Sequence, residues 1–195
     1  MNTTLLTYKN ISLKVPEKEE YLELIDYFLE KEVAKNTTWC YKKLINKEIA
    51  EEMYQKVLKG LKERNNILLF IAKNDRAIGI VNLFIDHENK KGTLGINIKT
   101  SEIGKGIGTI ALKMFLFYAF HFFDLNKVVL EVYSDNLRAK KVDEKVGFNY
   151  VGTKRKDISC FGKWRDVDIM EIFKEEFFKK NKEFIEELKK ENNLE

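Results

Sequence analysis

Three glycines at alternate positions, in Gly104-Lys105-Gly106-Ile107-Gly108, stand immediately before a long apolar run. Glycine reaches backbone torsions that a β-carbon forbids, and it leaves amide N–H groups bare to an approaching anion. The first turn of a following helix adds unpaired N–H groups and the positive end of its dipole. Lys105 adds a mobile cation. This combination suits a phosphate. The spacing is neither the GxGxxG of dinucleotide binders nor the GxxxxGK[ST] of P-loops. A plainer alternative also stands: a glycine-rich turn that only lets the chain enter a tightly packed helix.

Other reactive side chains are sparse. Cys40 and Cys160 lie far apart, and with only His87 and His121 in the chain there is no metal-ligand spacing. A reduced compartment and no metal are expected. Lys and Arg outnumber Asp and Glu by 35 to 31, an excess spread along all 195 residues. No basic block is dense enough to point to nucleic acid; the surplus is compatible with a polyanionic small molecule. The N-terminal stretch lacks the order of a signal peptide. The longest apolar stretch, 114–123, is about half of a membrane crossing. These features point to a cytoplasmic protein with no membrane partner.

The elements that must position the loop can be read from periodicity. A strand is expected around Leu5–Val15, then a helix over about Glu17–Lys31 with Leu22, Ile25, Phe28 and Leu29 on one side. A polar stretch containing Trp39, Cys40 and Tyr41 leads into a second amphipathic helix, about Ile45–Arg64. Three strands follow: Ile67–Ala72 and Ala77–Phe84 flanking the turn 73–76, then Thr93–Lys99 after the polar turn 86–91. Beyond the loop, Gly108–Phe123 reads as a helix apolar nearly all round, hence buried. Lys127–Tyr133 reads as a strand and Asn136–Val146 as a helix. Two more strands, Phe148–Asp157 and Trp164–Phe173, turn at Phe161-Gly162. Glu175–Asn192 reads as one charged amphipathic helix. This order predicts an α/β (α+β) domain with a mixed, mostly antiparallel sheet.

The run GKGIGT opening a helix after a meander, then LEVYSDNLRA and EKVGF, resembles the GNAT superfamily of acetyl-CoA-dependent N-acetyltransferases. Gly104 to Gly108 match its pyrophosphate loop, written [Q/R]xxGxG/A, and the closing segment is similar to the branch containing ribosomal-protein and spermidine acetyltransferases. The similarity covers about residues 5 to 175 and implies a GNAT domain over 1–175. The helix 176–195 lies outside it and is expected to pack on the domain or on the mate of a homodimer.

The resemblance implies a sheet splayed into a V, with a cofactor arm in the gap. The implied cofactor contacts are Ile96 and Ile98 on the first strand, then Ile103, Gly104, Lys105, Gly106, Ile107, Gly108 and Thr109 in the loop. Asn136 and Arg138 follow, Asn136 serving equally well as a helix N-cap. Ile103 replaces the usual Gln or Arg, and Asp143 occupies the position where many members carry a Tyr that reprotonates the thiolate. Tyr133, at the mouth of the gap, and Asp143 are the candidate acids. Trp39 and Tyr41 are an aromatic wall for the acceptor or core residues, and Asp86 is an acceptor contact or a turn former. The implied reaction transfers acetyl to a protein N-terminus, a polyamine or an amino-sugar. A cofactor-binding module without chemistry is the alternative.

Overall fold

The computed structural model describes residues 3–34 and 46–194. Trp39, Cys40 and Tyr41 lie outside these residues.

Eight strands form one sheet in the order β1-β2-β3-β4-β5-β6-β8-β7. The first is a correction to the sequence reading. Instead of one strand over 5–15, β1 (Thr4–Tyr8) and β2 (Ile11–Lys14) form a hairpin, with Tyr8 opposite Ile11 and Lys9 at φ 56° in the turn. Helix α1 (Lys18–Leu29), a short α2 (Lys31–Ala34) and α3 (Lys47–Glu63) come next. The Asn46 side chain caps α3 by accepting from the Ile49 N–H. Strands β3 (Asn66–Lys73), β4 (Arg76–Asp86) and β5 (Lys91–Ile98) then form an antiparallel meander. Asn74 and Asp75 both take positive φ between β3 and β4, the conformation that two-residue hairpins select and that Asn and Asp tolerate.

Helix α4 (Ile107–Phe122) crosses one face of the sheet. Its sequence is apolar nearly all round because it is covered on both sides. Phe115, Phe117 and Phe120 are fully buried among the strands and the C-terminal helices. Each such ring stabilises the fold by roughly 1.5–3 kcal/mol through burial. Strand β6 (Lys127–Tyr133), helix α5 (Leu137–Val146) and the hairpin β7 (Asn149–Cys160) and β8 (Lys163–Phe173) complete the sheet. The opposite face is covered by α1 and α3, whose Tyr21, Phe28 and Val57 pack on Leu68, Phe70 and Ile80.

The tail differs from expectation as well. It breaks into α6 (Lys174–Lys180) and α7 (Lys182–Glu191) at Asn181, whose buried side chain donates to the carbonyls of Val146 and Phe177. Phe177, Ile185 and Leu188 are buried against the same core as α4. At the end of α7, the Asn192 side chain accepts from the Thr7 N–H at 2.9 Å and donates to the Thr7 carbonyl at 2.8 Å, on the outer side of β1. No helix of the described residues is long and apolar enough to cross a membrane.

Candidate functional site

The decisive feature is where two strands part. β5 and β6 pair in parallel only from Lys91↔Lys127 to Leu94↔Leu130. Past that point Gly95–Ile98 keep their β4 partners, while Glu131–Tyr133 keep those of β8. The inner edges of both strands are therefore left without a strand partner. Unpaired strand groups of this kind accept an extended chain by hydrogen bonding. A cavity of about 540 Å³ fills the gap. Its walls come from both faces of the sheet: Leu94, Ile96, Leu130 and Val132 from the α4 side, Leu68 and Ile80 from the α1–α3 side. The cavity thus passes through the sheet.

On the α4 side the glycine loop leads into α4. Gly104 and Gly106 take φ of 82° and 78°, and a β-carbon on either would meet nothing in the protein within 4 Å. Their backbone conformation requires glycine, and the space above them is open. Gly106 is the N-cap of α4 and no side chain caps that end. The N–H groups of Ile107, Gly108 and Thr109 have no protein acceptor among the described residues. An uncapped helix start beneath open space fits a phosphate group. The residues present therefore fit the diphosphate of a nucleotide cofactor.

Lys105 is partly committed, lying 3.1 Å from Glu102, which also pairs with Lys73 at 2.9 Å. Those two cations hold the Glu102 carboxyl below its usual range. Ile103 ends the short 3₁₀ turn Thr100–Glu102, and Ile107 turns into the core. The sequence reading missed Tyr27. Its hydroxyl bonds to the Thr100 hydroxyl at 2.6 Å and accepts from the Thr100 N–H at 2.9 Å, pinning the loop's entrance to α1.

Asn136 combines two positions. Its Oδ1 accepts from the Ala139 N–H at 3.2 Å, capping α5, and its side chain lines the cavity. Arg138 is exposed on the first turn of α5 and does not line the cavity. Tyr133 and Asp143 do line it. Tyr133 is buried, with the Arg165 guanidinium carbon 3.7 Å from its ring centre. Asp143 is 4% exposed, and its carboxylate has no hydrogen-bond or ion-pair partner among the described residues. Burial, with a smaller push from the Glu144 charge, raises its pKa to about 7. Tyr21, also in the wall, is pushed up to about 12 by burial and so keeps its proton. Asp86 lies outside the lining: its carboxylate accepts from the Asn89 N–H and side-chain amide and pairs with Lys91. His87 contacts the Arg64 carbonyl at 2.9 Å.

Asp168 is a second buried carboxylate. It accepts from Ser134 at 2.6 Å, Thr153 at 2.7 Å and Lys140 at 2.5 Å. Burial pushes its pKa up, but those three hydrogen bonds outweigh burial and bring it down to about 2. The cluster ties β8 to the β6–α5 connection and so fixes the segment that carries Asn136.

The family described as acetyltransferase (GNAT) domain matches residues 11–149. The chain belongs to the GNAT acetyltransferase family. Among its relatives, the probable N-acetyltransferase YjcK of Bacillus subtilis (strain 168) is 35% identical over 106 residues, 53% of this chain and 59% of YjcK. The spermidine N(1)-acetyltransferase of Escherichia coli (strain K12) is 28% identical over 133 residues, 67% of this chain and 69% of that protein. The chain thus spans less than two thirds of the first relative and slightly more of the second. In fold, it superposes on RimL, a ribosomal L7/L12 α-N-protein acetyltransferase solved with coenzyme A. That match has a TM-score of 0.80 at 15% identity, covering 88% of this chain and 98% of RimL. The mixed sheet with its splay is the GNAT fold.

Proposed function

We propose that this chain is an N-acetyltransferase that moves the acetyl group of acetyl-CoA to a primary amine by direct attack in a ternary complex. The observation that carries the reading is the cavity through the parted sheet, bordered by β5, the strand whose chain runs on through the 3₁₀ turn into the open glycine loop. When bound, acetyl-CoA supplies an acyl group on a thioester, whose carbon takes the amine and whose sulfur leaves.

In this reading, the amides at the start of α4 hold the diphosphate, and the free edge of β5 at Ile96 and Ile98 holds the arm. Both groups are fixed by the fold before binding, so little ordering is needed at the moment of reaction. Backbone N–H groups on that edge face negative charge gathering on the acyl oxygen. The amine reacts in its neutral form. The rim of the cavity carries exposed Lys56 and Phe84, so water reaches the chamber and can take the amine's proton. The new bond is N–C and the broken bond is C–S. Asp143 holds a proton to about pH 7 on the cavity wall, and it donates that proton to the departing sulfur. It then recovers one from solvent. A group titrating near the working pH is well matched to this duty. Tyr133 shapes the mouth of the gap beside it.

The test is release of free CoA from acetyl-CoA with a panel of primary amines. CoA binding without turnover on any amine would remove the catalytic reading. Gly106→Val should abolish CoA binding, because its side chain would enter the open space above the loop. The φ of 78° also makes this substitution strained. Gly162→Val, at φ 80° with equally open surroundings in the β7–β8 turn, carries the same strain. It should leave CoA binding intact. Equal loss of binding in both variants would disprove the loop's role.

A further inference from the structure

The half of the cavity facing α1 and α3 is lined with amides. Asn66 from β3, Asn82 from β4 and Asn97 from β5 all border it. Side-chain amides in sheet interiors are unusual, since Asn is depleted in strands and needs partners once water is removed. Among the described residues none of the three has a side-chain hydrogen-bond partner, and the Asn66 Oδ1 is buried and unsatisfied. Asn82 lies across the backbone of Gly95, where a β-carbon would sit 2.7 Å from its Oδ1. A bare glycine therefore lets this amide lie flat beside the parted edge of β5.

Charge in the same chamber is balanced or absent. The carboxylate on this side of the lining, Glu131, is paired with Lys154, and Lys56 adds a positive charge at the rim. Asp143 stands on the α4 side and retains its proton to about pH 7. Among the described residues of this lining, a second or third ammonium on the acceptor would find no unpaired carboxylate, at considerable cost.

We infer that, if the transferase reading holds, the acceptor carries a single primary amine on an uncharged body rich in amide or hydroxyl groups, read by Asn66, Asn82 and Asn97. A free peptide α-amine and an amino-sugar share this chemistry; a polyamine does not. Neutral hydrogen-bonding groups on the acceptor match the side-chain amides that border the cavity. The discrimination is strong because a site built to hydrogen-bond rejects ligands that leave its groups unpaired.

The experiment compares kcat/KM for seryl-alanine amide, glucosamine, putrescine and spermidine, with melting curves and CoA calorimetry on every variant. At least one neutral-bodied amine should exceed both polyamines by about tenfold or more, the weight of one unmade polar contact. Asn82→Asp should reverse the order, raising spermidine and lowering the neutral acceptor by about tenfold each. If that variant fails to fold, Asn97→Asp takes its place. A wild-type protein that prefers spermidine, or a carboxylate variant with unchanged preference, overturns the acceptor assignment and leaves the transferase reading standing. Absence of turnover with all four amines overturns the transferase reading. In that case tighter calorimetric binding of spermidine than of the neutral amines to the CoA-loaded protein overturns the acceptor assignment separately, and the reverse order supports it.

Discussion

Asp143 on α5 and Asp168 on β8 sit at 4% and 3% exposure, yet they have opposite chemistry. Asp143 faces the cavity wall with no partner and holds its proton to about 7. Asp168 is surrounded by Ser134, Thr153 and Lys140 and stays ionised down to about 2. Similar solvent exposure thus accompanies an acid in one place and, above about pH 2, an anion in the other. Removal from water sets the cost of charge, and the donors within reach decide whether that cost is offset. The first arrangement is suited to exchanging protons, the second to holding β6, α5 and β8 in register.

The sharpest way to break this contrast is to remove the anion. Asp168→Ala should destabilise the protein by about 3 kcal/mol, because Lys140, Ser134 and Thr153 lose their common acceptor. Denaturant melts measure this, and a loss under about 1 kcal/mol would show that the cluster is incidental. Asp143→Asn should instead leave CoA affinity and folding intact while lowering kcat by about 100-fold, the usual contribution of a positioned acid. In the wild type the rate should fall above pH 7 as Asp143 ionises, and that alkaline limb should vanish in Asp143→Asn. A retained limb would assign the acid elsewhere.

The contrast also appears in stability against pH. The folded pKa of Asp143 is raised from 3.8, so between about pH 4 and 7 the native state holds a proton that the unfolded chain has lost. Stability from this group is highest at acid pH and declines as pH rises through that window. The slope is no steeper than about 1.4 kcal/mol per pH unit. For Asp168 the folded pKa lies below 3.8, so its contribution is present above about pH 4 and is lost as pH falls toward 2. Melts of Asp143→Asn should lack the decline from 4 to 7, and melts of Asp168→Asn should lack the acid loss. Parallel curves for both variants would erase the distinction between the two carboxyls.

Most of the architecture is legible in the sequence because local signals and tertiary context agree. The 127–133 strand has the boundaries that its alternation implies, and the Asn74-Asp75 turn has the torsions those residues tolerate. The errors arise where packing overrides a local pattern. A continuous β-like run over 5–15 folds back at Lys9-Asn10, and a continuous amphipathic tail breaks where Asn181 turns inward to bond Val146. The glycine loop is legible because its torsions are a property of residue type. Asp143 is visible by position alone; its proton affinity is not, since that depends on which side chains fail to reach it. Asn82 and Asn97 interrupt apolar strands and Asn66 opens one, a signal present in the sequence. Their convergence needs the register that pairs Asn82 with Gly95. Tyr27 and Asp168 act across 73 and 34 residues, beyond any local pattern.

The side chain of Asn192 offers Thr7 one donor and one acceptor, the same pair that a neighbouring strand would present. The C-terminal residues therefore act as a stopper on the β1 rim. Outer strands with open ladder groups recruit like strands from other molecules and grow into stacks. Here a single carboxamide fills the vacancy at Thr7. Shortening the chain before Asn192 would uncover a sticky border, and self-association through β1 is the failure it would invite.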